Sequence, residues 1–133
     1  MAADTVVASG RRHLPKAETA DEIIKCLKLL SGRRHRVYTG VAVRSDEGRV
    51  VQRIAESVVT FRTLSLAEIK AYAASGEGIG KAGGYAIQGY AAAYIRFISG
   101  SYSNIVGLPL FEVAQMLQNC GFPLRGMHKW AKP

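Results

Sequence analysis

The chain has 133 residues, the length of one ordinary domain, and its 48% hydrophobic and 21% charged residues argue against a wholly disordered protein. Eighteen Lys and Arg against ten Asp and Glu give a formal net charge of +8, which favours an anionic partner such as nucleic acid, acidic lipid or a phosphate-bearing small molecule. No apolar run approaches the roughly 20 residues of a membrane helix, and the first residues lack the pattern of a signal peptide. Two cysteines cannot form a disulfide framework. We therefore expect a cytoplasmic protein without a membrane partner.

The first half of the chain predicts a strand, a helix and a β-hairpin. β-branched residues predict a short buried strand over 5–8, which is either a sheet edge or lacks something that normally precedes it. A capping-box pattern starting at Thr19 and apolar residues at helical spacing predict a helix over 20–30. Strands over 36–44 and 50–62 flank a short turn, so an antiparallel hairpin is the simplest interpretation.

The second half alternates helices with loops and one strand. A second capping box predicts a helix over 66–74, and residues 76–89 form a loop in which six of fourteen residues are glycine. A strand follows over 94–98, and then a turn over 99–104. Pro109 suits the first position of a last amphipathic helix.

This order of elements predicts the fold class. It indicates an α/β domain over residues 1–121, built as a mixed, twisted sheet with flanking helices. Residues 122–133 are basic and contain Pro and Trp, so we expect them to form a separate tail.

Two charged residues near the start could carry chemistry. Asp4 precedes the first strand, where a carboxylate can hold a divalent metal or act as a base on water, or can simply cap a strand edge. Lys16 follows a basic turn over residues 10–15 and could contact phosphate oxygens, or be an ordinary solvated lysine. From these residues alone, both interpretations of each stay open.

The glycine-rich loop offers two further candidates. Its Gly-x-Gly-x-x-Gly pattern follows a helix rather than a strand, so the context of a dinucleotide-binding site is missing. Backbone N–H groups of such a loop can still approach a ligand, with Lys81 adding charge, or the loop can be a flexible surface segment. The amide of Gln88 offers a donor and an acceptor that match the edge of a base, or it is a polar residue at a strand start.

Other groups of residues give weaker indications of a functional site. The histidines and cysteines show no metal-ligand spacing, and no serine is marked as an activated nucleophile. The basic cluster 33–36 could contact nucleic acid, but without interleaved aromatic residues it is better interpreted as a solvated helix-to-strand connection or as part of a phosphate funnel.

Seven short segments together carry the pattern of a known family. They are residues 3–7, 14–17, 30–33, 35–41, 59–61, 81–89 and 100–109. They follow one another in order and with sensible spacing between residue 3 and about residue 118, which makes the set far more specific than any single motif. On these segments the chain resembles the Maf (septum-formation, nucleoside triphosphate pyrophosphatase) family.

The resemblance implies a fold, an activity and a site. The fold would be an elongated α/β structure with a cleft between two lobes, similar to the inosine-triphosphatase fold. The activity would be hydrolysis of a nucleoside triphosphate to the monophosphate and pyrophosphate with Mg²⁺ or Mn²⁺. Asp4 would be the catalytic acidic residue, as base or metal anchor, and Lys16 would neutralise phosphate, with help from Lys81. Thr5 and Gln88 fall at positions linked to base choice, and this pair resembles the branch acting on dTTP and UTP.

The resemblance also implies that a segment is absent. Family members begin with a strand leading into a Ser-x-Ser-Pro-Arg-Arg-like segment, so we expect this chain to correspond to the carboxy-terminal two-thirds of the enzyme. Two alternatives therefore stand beside the favoured hypothesis: an inactive remnant that binds a nucleotide or a partner, and a basic nucleic-acid-binding module. A homodimer is a further possibility, because absent sheet partners would leave apolar surface exposed.

Overall fold

A five-stranded sheet, with strands in the order β2-β1-β3-β4-β5, organises the fold. The computed structural model describes residues 1–122. The strands are β1 (Ala2–Ser9), β2 (Arg12–Leu14), β3 (Arg34–Arg44), β4 (Val50–Phe61) and β5 (Ile95–Ser99). Buried and exposed residues alternate along β3, and along β4 from Ala55 onward, so these strands bury one face and turn the other outward.

Four helices and one 3-10 turn complete the described chain. They are α1 (Ala20–Leu30), α2 (Leu66–Ser75), the 3-10 turn Tyr90–Tyr94, α3 (Tyr102–Val106) and α4 (Leu110–Asn119). The capping box of α2 is complete: the Glu68 N–H donates to Ser65 Oγ at 3.1 Å, and the Ser65 N–H donates to Glu68 Oε1 at 3.0 Å. In α1, Thr19 caps as predicted, but the Glu22 carboxylate accepts from the N–H of Glu18, one residue earlier than a capping box requires.

The buried core falls into two apolar clusters. The larger cluster joins α1 and α2 to the sheet and includes Leu27, Phe61 and Ile69, while a smaller one joins α4 to the far ends of β3 and β4. Between them lie three buried polar residues, which we call the polar belt: Thr39, Ser57 and Asn104. Because α3 carries Asn104, this short helix places polar groups on the covered face of the sheet.

The predicted α/β domain, a sheet with flanking helices, is confirmed, but the strand directions differ from the prediction. All four strand pairs within residues 1–122 are antiparallel, so this part of the sheet is not mixed. β2 and β3 do run in the same direction. They cannot form a parallel pair because β1 lies between them.

Three short elements were missed, namely β2, the 3-10 turn and α3, and the first strand is an edge over only part of its length. The predicted basic turn 10–15 contains β2, which returns against β1 through the left-handed Gly10. The first strand is therefore covered by β2 at Val7–Ser9, but within the described chain its residues 2–6 have a strand partner on one side alone. Of its residues only Val7 is buried. The predicted turn 99–104 runs into α3, where Ser101 caps the first turn; five residues are too few to show a helical period in the sequence.

The predicted tail 122–133 lies, apart from Phe122, outside the described residues. Within residues 1–122, every helix is too short or too polar to cross a bilayer.

Candidate functional site

A cavity of about 230 Å³ opens beside β1. Its walls come from four segments that are distant in sequence: the start of β1, the residues around Lys16, the glycine-rich loop and α3. All five side chains singled out from the sequence belong to residues that line it. They are Asp4, Thr5, Lys16, Lys81 and Gln88. The structure thus brings the whole predicted set together, while their roles remain a prediction.

The position of β1 explains why Asp4 reaches this cavity. β2 pairs only with Val7–Ser9, so within the described chain the preceding residues of β1 have a strand partner on the β3 side alone. The cavity lies along this stretch of β1. Asp4 is exposed and Thr5 is half-buried, so the carboxylate is accessible to a ligand while the neighbouring hydroxyl is held by the fold.

Backbone hydrogen bonds hold the two lysines in the same wall. Lys16 forms an isolated antiparallel bridge with Ala82. The Ala17 N–H donates to the Lys81 carbonyl at 3.1 Å, and the Gly80 N–H donates to the Ala17 carbonyl at 2.7 Å. Both lysine side chains are exposed. The cavity therefore has two cationic groups on adjoining backbone, an arrangement suited to phosphate oxygens.

The glycine-rich loop is a packed wall rather than a flexible surface segment. A Cβ on Gly78 would lie 2.0 Å from the carbonyl oxygen of Gly84, so only glycine fits there. Gly84 itself has a φ of +78° and packs against Cys26 of α1. Of the two alternatives that the sequence left open for this loop, the structure supports a backbone fixed beside the cavity.

Glu77 fixes the chain on the far side of Gln88. Its Oε1 accepts the Tyr90 N–H at 2.9 Å and its Oε2 accepts the Ala91 N–H at 3.4 Å, which ties the loop to the 3-10 turn. Burial raises the pKa of this carboxyl, but hydrogen bonds from the Tyr72 hydroxyl and these two amides outweigh burial and leave the pKa below its ordinary value. The carboxylate therefore stays charged and keeps the segment carrying Gln88 in place.

Tyr85 is a lining residue that the sequence analysis did not single out. It is 6% exposed, its hydroxyl lies 2.6 Å from His35 Nε2, and its ring contacts Phe61 edge to face at 4.9 Å between centroids. Burial lowers the pKa of His35 to about 4 and raises that of Tyr85, so both side chains are neutral near pH 7. A histidine on the face of β3 that mostly buries apolar residues was the signal for this contact.

This buried histidine makes stability pH-dependent. In the unfolded chain His35 protonates near its ordinary pKa of 6.5, whereas in the folded protein it does so only near 4. Between these values the unfolded state binds more protons, so the free energy of unfolding should fall by up to about 3 kcal/mol as the pH drops from 7 to 4. Urea titrations at several pH values measure this. The loss of stability at low pH should shrink in His35→Phe and persist in the control His13→Gln, because His13 is exposed. If the free energy of unfolding changed equally with pH in both variants, this prediction would be contradicted.

The basic cluster 33–36 does not reach the cavity. Its three arginines are exposed and Arg36 pairs with Glu56 on the neighbouring strand, while none of the three belongs to the cavity wall. The interpretation as a solvated connection fits the arginines, and the phosphate-funnel alternative does not. His35, however, is buried in the core.

The acidic groups of the cavity limit what metal it could hold. Among residues 1–122, no three His, Cys, Asp or Glu side chains are grouped closely enough to bind a metal ion by themselves. Among the described residues that line the cavity, Asp4 is the one with an acidic side chain. One carboxylate completed by substrate phosphates and water is a common way for proteins to bind Mg²⁺, so this donor set fits a hard cation that arrives with a phosphate ligand.

Comparisons with known proteins identify relatives of this chain. The family model described as "Maf-like protein" matches residues 1–120. A protein of Granulibacter bethesdensis named "dTTP/UTP pyrophosphatase" is 65% identical over 92% of this chain and 57% of its own length. One of Paramagnetospirillum magneticum with the same name is 62% identical over 92% of this chain and 64% of its own length. A protein of Rickettsia canadensis named "Nucleoside triphosphate pyrophosphatase" is 57% identical over 92% of this chain and 62% of its own length. The chain thus spans about three-fifths of the length of the curated relatives it matches.

Proposed function

This chain belongs to the Maf family, and from that premise we propose that it acts as a nucleoside triphosphate pyrophosphatase. The proposed reaction hydrolyses dTTP or UTP, the nucleotides in the printed names of its relatives, to the nucleoside monophosphate and pyrophosphate. The observation that carries the proposal is the single cavity that joins one exposed carboxylate to two exposed lysines. The proposed setting is the cytoplasm.

The lysines would bind the triphosphate. Lys16 and Lys81 lie on adjoining backbone, so both ammonium groups can face the same polyanion. Charge that develops on the departing pyrophosphate is then met by fixed positive groups, and such preorganised charge lowers the barrier more than mobile counterions in water do. The basic balance of the chain would also favour encounter with an anionic substrate.

Asp4 would act on the attacking water. Its carboxylate can accept a proton as the water oxygen bonds to the α-phosphorus; the α–β anhydride bond breaks, and its electron pair leaves with pyrophosphate. Because Asp4 is exposed on the cavity wall, the proton can pass from it to solvent and the carboxylate is restored. A divalent cation, Mg²⁺ or Mn²⁺, would be held by Asp4 and by phosphate oxygens, and would neutralise charge on the triphosphate.

Turnover by the chain itself tests the proposal. Purified protein is incubated with dTTP or UTP and Mg²⁺, and the products are separated by ion exchange. We expect equal amounts of monophosphate and pyrophosphate. Release of orthophosphate and nucleoside diphosphate would refute the assigned bond cleavage. Binding of a non-hydrolysable dTTP analogue without any turnover would favour the inactive nucleotide-binding alternative.

A further inference from the structure

The polar belt touches the cavity through Thr5. The Thr5 hydroxyl oxygen lies 2.9 Å from the hydroxyl oxygen of Thr39, which is fully buried. Thr39 Oγ1 in turn lies 3.1 Å from the carbonyl oxygen of Asn104 in α3. A chain of three oxygens therefore runs from the cavity wall into the core.

The direction of this chain follows from counting protons. A carbonyl oxygen can only accept, so the single hydroxyl proton of Thr39 points to Asn104; any other direction would set lone pairs against each other at 3.1 Å in a buried site. Thr39 Oγ1 then has only lone pairs to offer Thr5. Thr5 must donate its own proton inward, and its oxygen presents only lone pairs to the cavity.

Asn104 is itself held from several sides, so this direction is fixed. Its side-chain amide donates to the Val37 carbonyl at 3.1 Å and to Ser57 Oγ at 2.9 Å. Its backbone N–H donates to Ser101 Oγ at 3.2 Å, and its carbonyl also accepts from Gly107. Among residues 1–122 the side-chain oxygen Oδ1 of Asn104 is buried without a hydrogen-bond partner, but the other bonds hold the Asn104 backbone carbonyl in place as the acceptor for Thr39.

We propose that Thr39 is a positioning residue for base selection, which fixes the Thr5 hydroxyl as an obligate hydrogen-bond acceptor towards the bound base. The inference rests on the proposed function. In the proposed orientation, N3 of the base faces Thr5. Uracil and thymine carry a hydrogen on N3, which such an acceptor can bind, whereas N3 of cytosine is itself an acceptor and would face the Thr5 lone pairs. The belt would thus favour UTP and dTTP over CTP, because an unmatched acceptor pair in a desolvated site is costly.

The wild-type protein provides the first test. Pyrophosphate release is compared for UTP, CTP and N3-methyl-UTP, which differs from UTP only by replacing the N3 hydrogen with a methyl group. We expect kcat/KM for both other nucleotides to be at least about tenfold below that for UTP, the equivalent of one hydrogen bond. Equal rates with UTP and either competitor would overturn the inference without requiring any variant.

The variant Thr39→Val provides the second test. It keeps the shape and removes the hydroxyl, so Thr5 can rotate and donate to the cavity, and the UTP-to-CTP ratio of kcat/KM should fall about tenfold. Thr39→Ser keeps the hydroxyl and should retain the wild-type ratio. Thr60→Val, the same change at a half-buried position of β4 outside the belt, is the matched control and should leave the ratio unchanged.

The outcomes separate this inference from the proposed function. If wild-type protein releases pyrophosphate from UTP but Thr39→Val keeps the wild-type ratio, the positioning role is wrong and the pyrophosphatase activity stands. If wild-type protein releases no pyrophosphate from any nucleotide and binds UTP and CTP analogues equally in calorimetry, both proposals fail. A purely structural role would lower the stability of Thr39→Val without changing the ratio.

Discussion

Asp4→Asn is expected to lower pyrophosphate release from dTTP and UTP by about a hundredfold or more, while nucleotide binding persists. Asparagine has nearly the same shape but cannot take a proton from water at neutral pH, and losing a general base typically costs about 10²–10⁴ in rate. Asp4 is exposed on the cavity wall, so the change removes no buried contact and the fold should be unaffected. The rate is measured by product separation, and binding by calorimetry with a non-hydrolysable analogue.

A matched control separates this effect from a general change of charge. Asp46 lies exposed in the turn between β3 and β4, outside the described cavity wall, and Asp46→Asn alters the net charge equally. It should keep the wild-type rate. If the Asp4→Asn variant hydrolysed dTTP and UTP as fast as the Asp46→Asn variant, the carboxylate at the start of β1 would have no catalytic role. The proposed mechanism would then lose its general base.

Gly78→Ala is expected to lower the free energy of unfolding by about 3 kcal/mol and to impair turnover. The added Cβ would lie 2.0 Å from the Gly84 carbonyl oxygen, and backbone cannot yield as a flexible side chain does. The loop must therefore shift, and Lys81 and Gln88 move with it. Thermal unfolding reports the loss of stability, and kcat/KM for UTP reports the displaced wall.

The control is Gly76→Ala, two residues earlier. Gly76 has a φ of +75°, but a Cβ there would meet nothing within 4 Å, so alanine adds only backbone strain of about 1 kcal/mol. Turnover should persist in that variant. Equal losses of stability in the two variants would mean that close packing of Gly78 on Gly84 is not what fixes the loop.

Local chemistry explains which elements the sequence could predict. α2 begins at a complete capping box, and α1 combines a cap at Thr19 with a regular apolar stripe, so both were predicted almost to the residue. β2 and α3 are three and five residues long, and each depends on partners distant in sequence. Elements that are stabilised mainly by such contacts leave little periodic signal of their own.

The candidate site shows the same difference between residues that the sequence marks and residues whose role depends on distant contacts. Asp4, Lys16 and Gln88 stand in motifs that resemble a family, and the structure places them around one cavity. Thr39 and Asn104 also lie in such segments but were not singled out, because their importance comes from a hydrogen bond between segments more than sixty residues apart. A polar residue at a buried position of β3 was the available clue, since Thr39 interrupts the apolar series of Val37, Val41 and Val43.

The cavity walls come from both ends of the described chain, and this has a consequence for biosynthesis. β1 leaves the ribosome before the central hairpin, whereas the glycine-rich loop and α3 follow only after it. A nascent chain therefore holds Asp4 and Lys16 long before it holds Lys81 and Gln88. Closing so long a loop is entropically costly and slow, so nucleotide binding should mark completion of folding rather than guide its first steps.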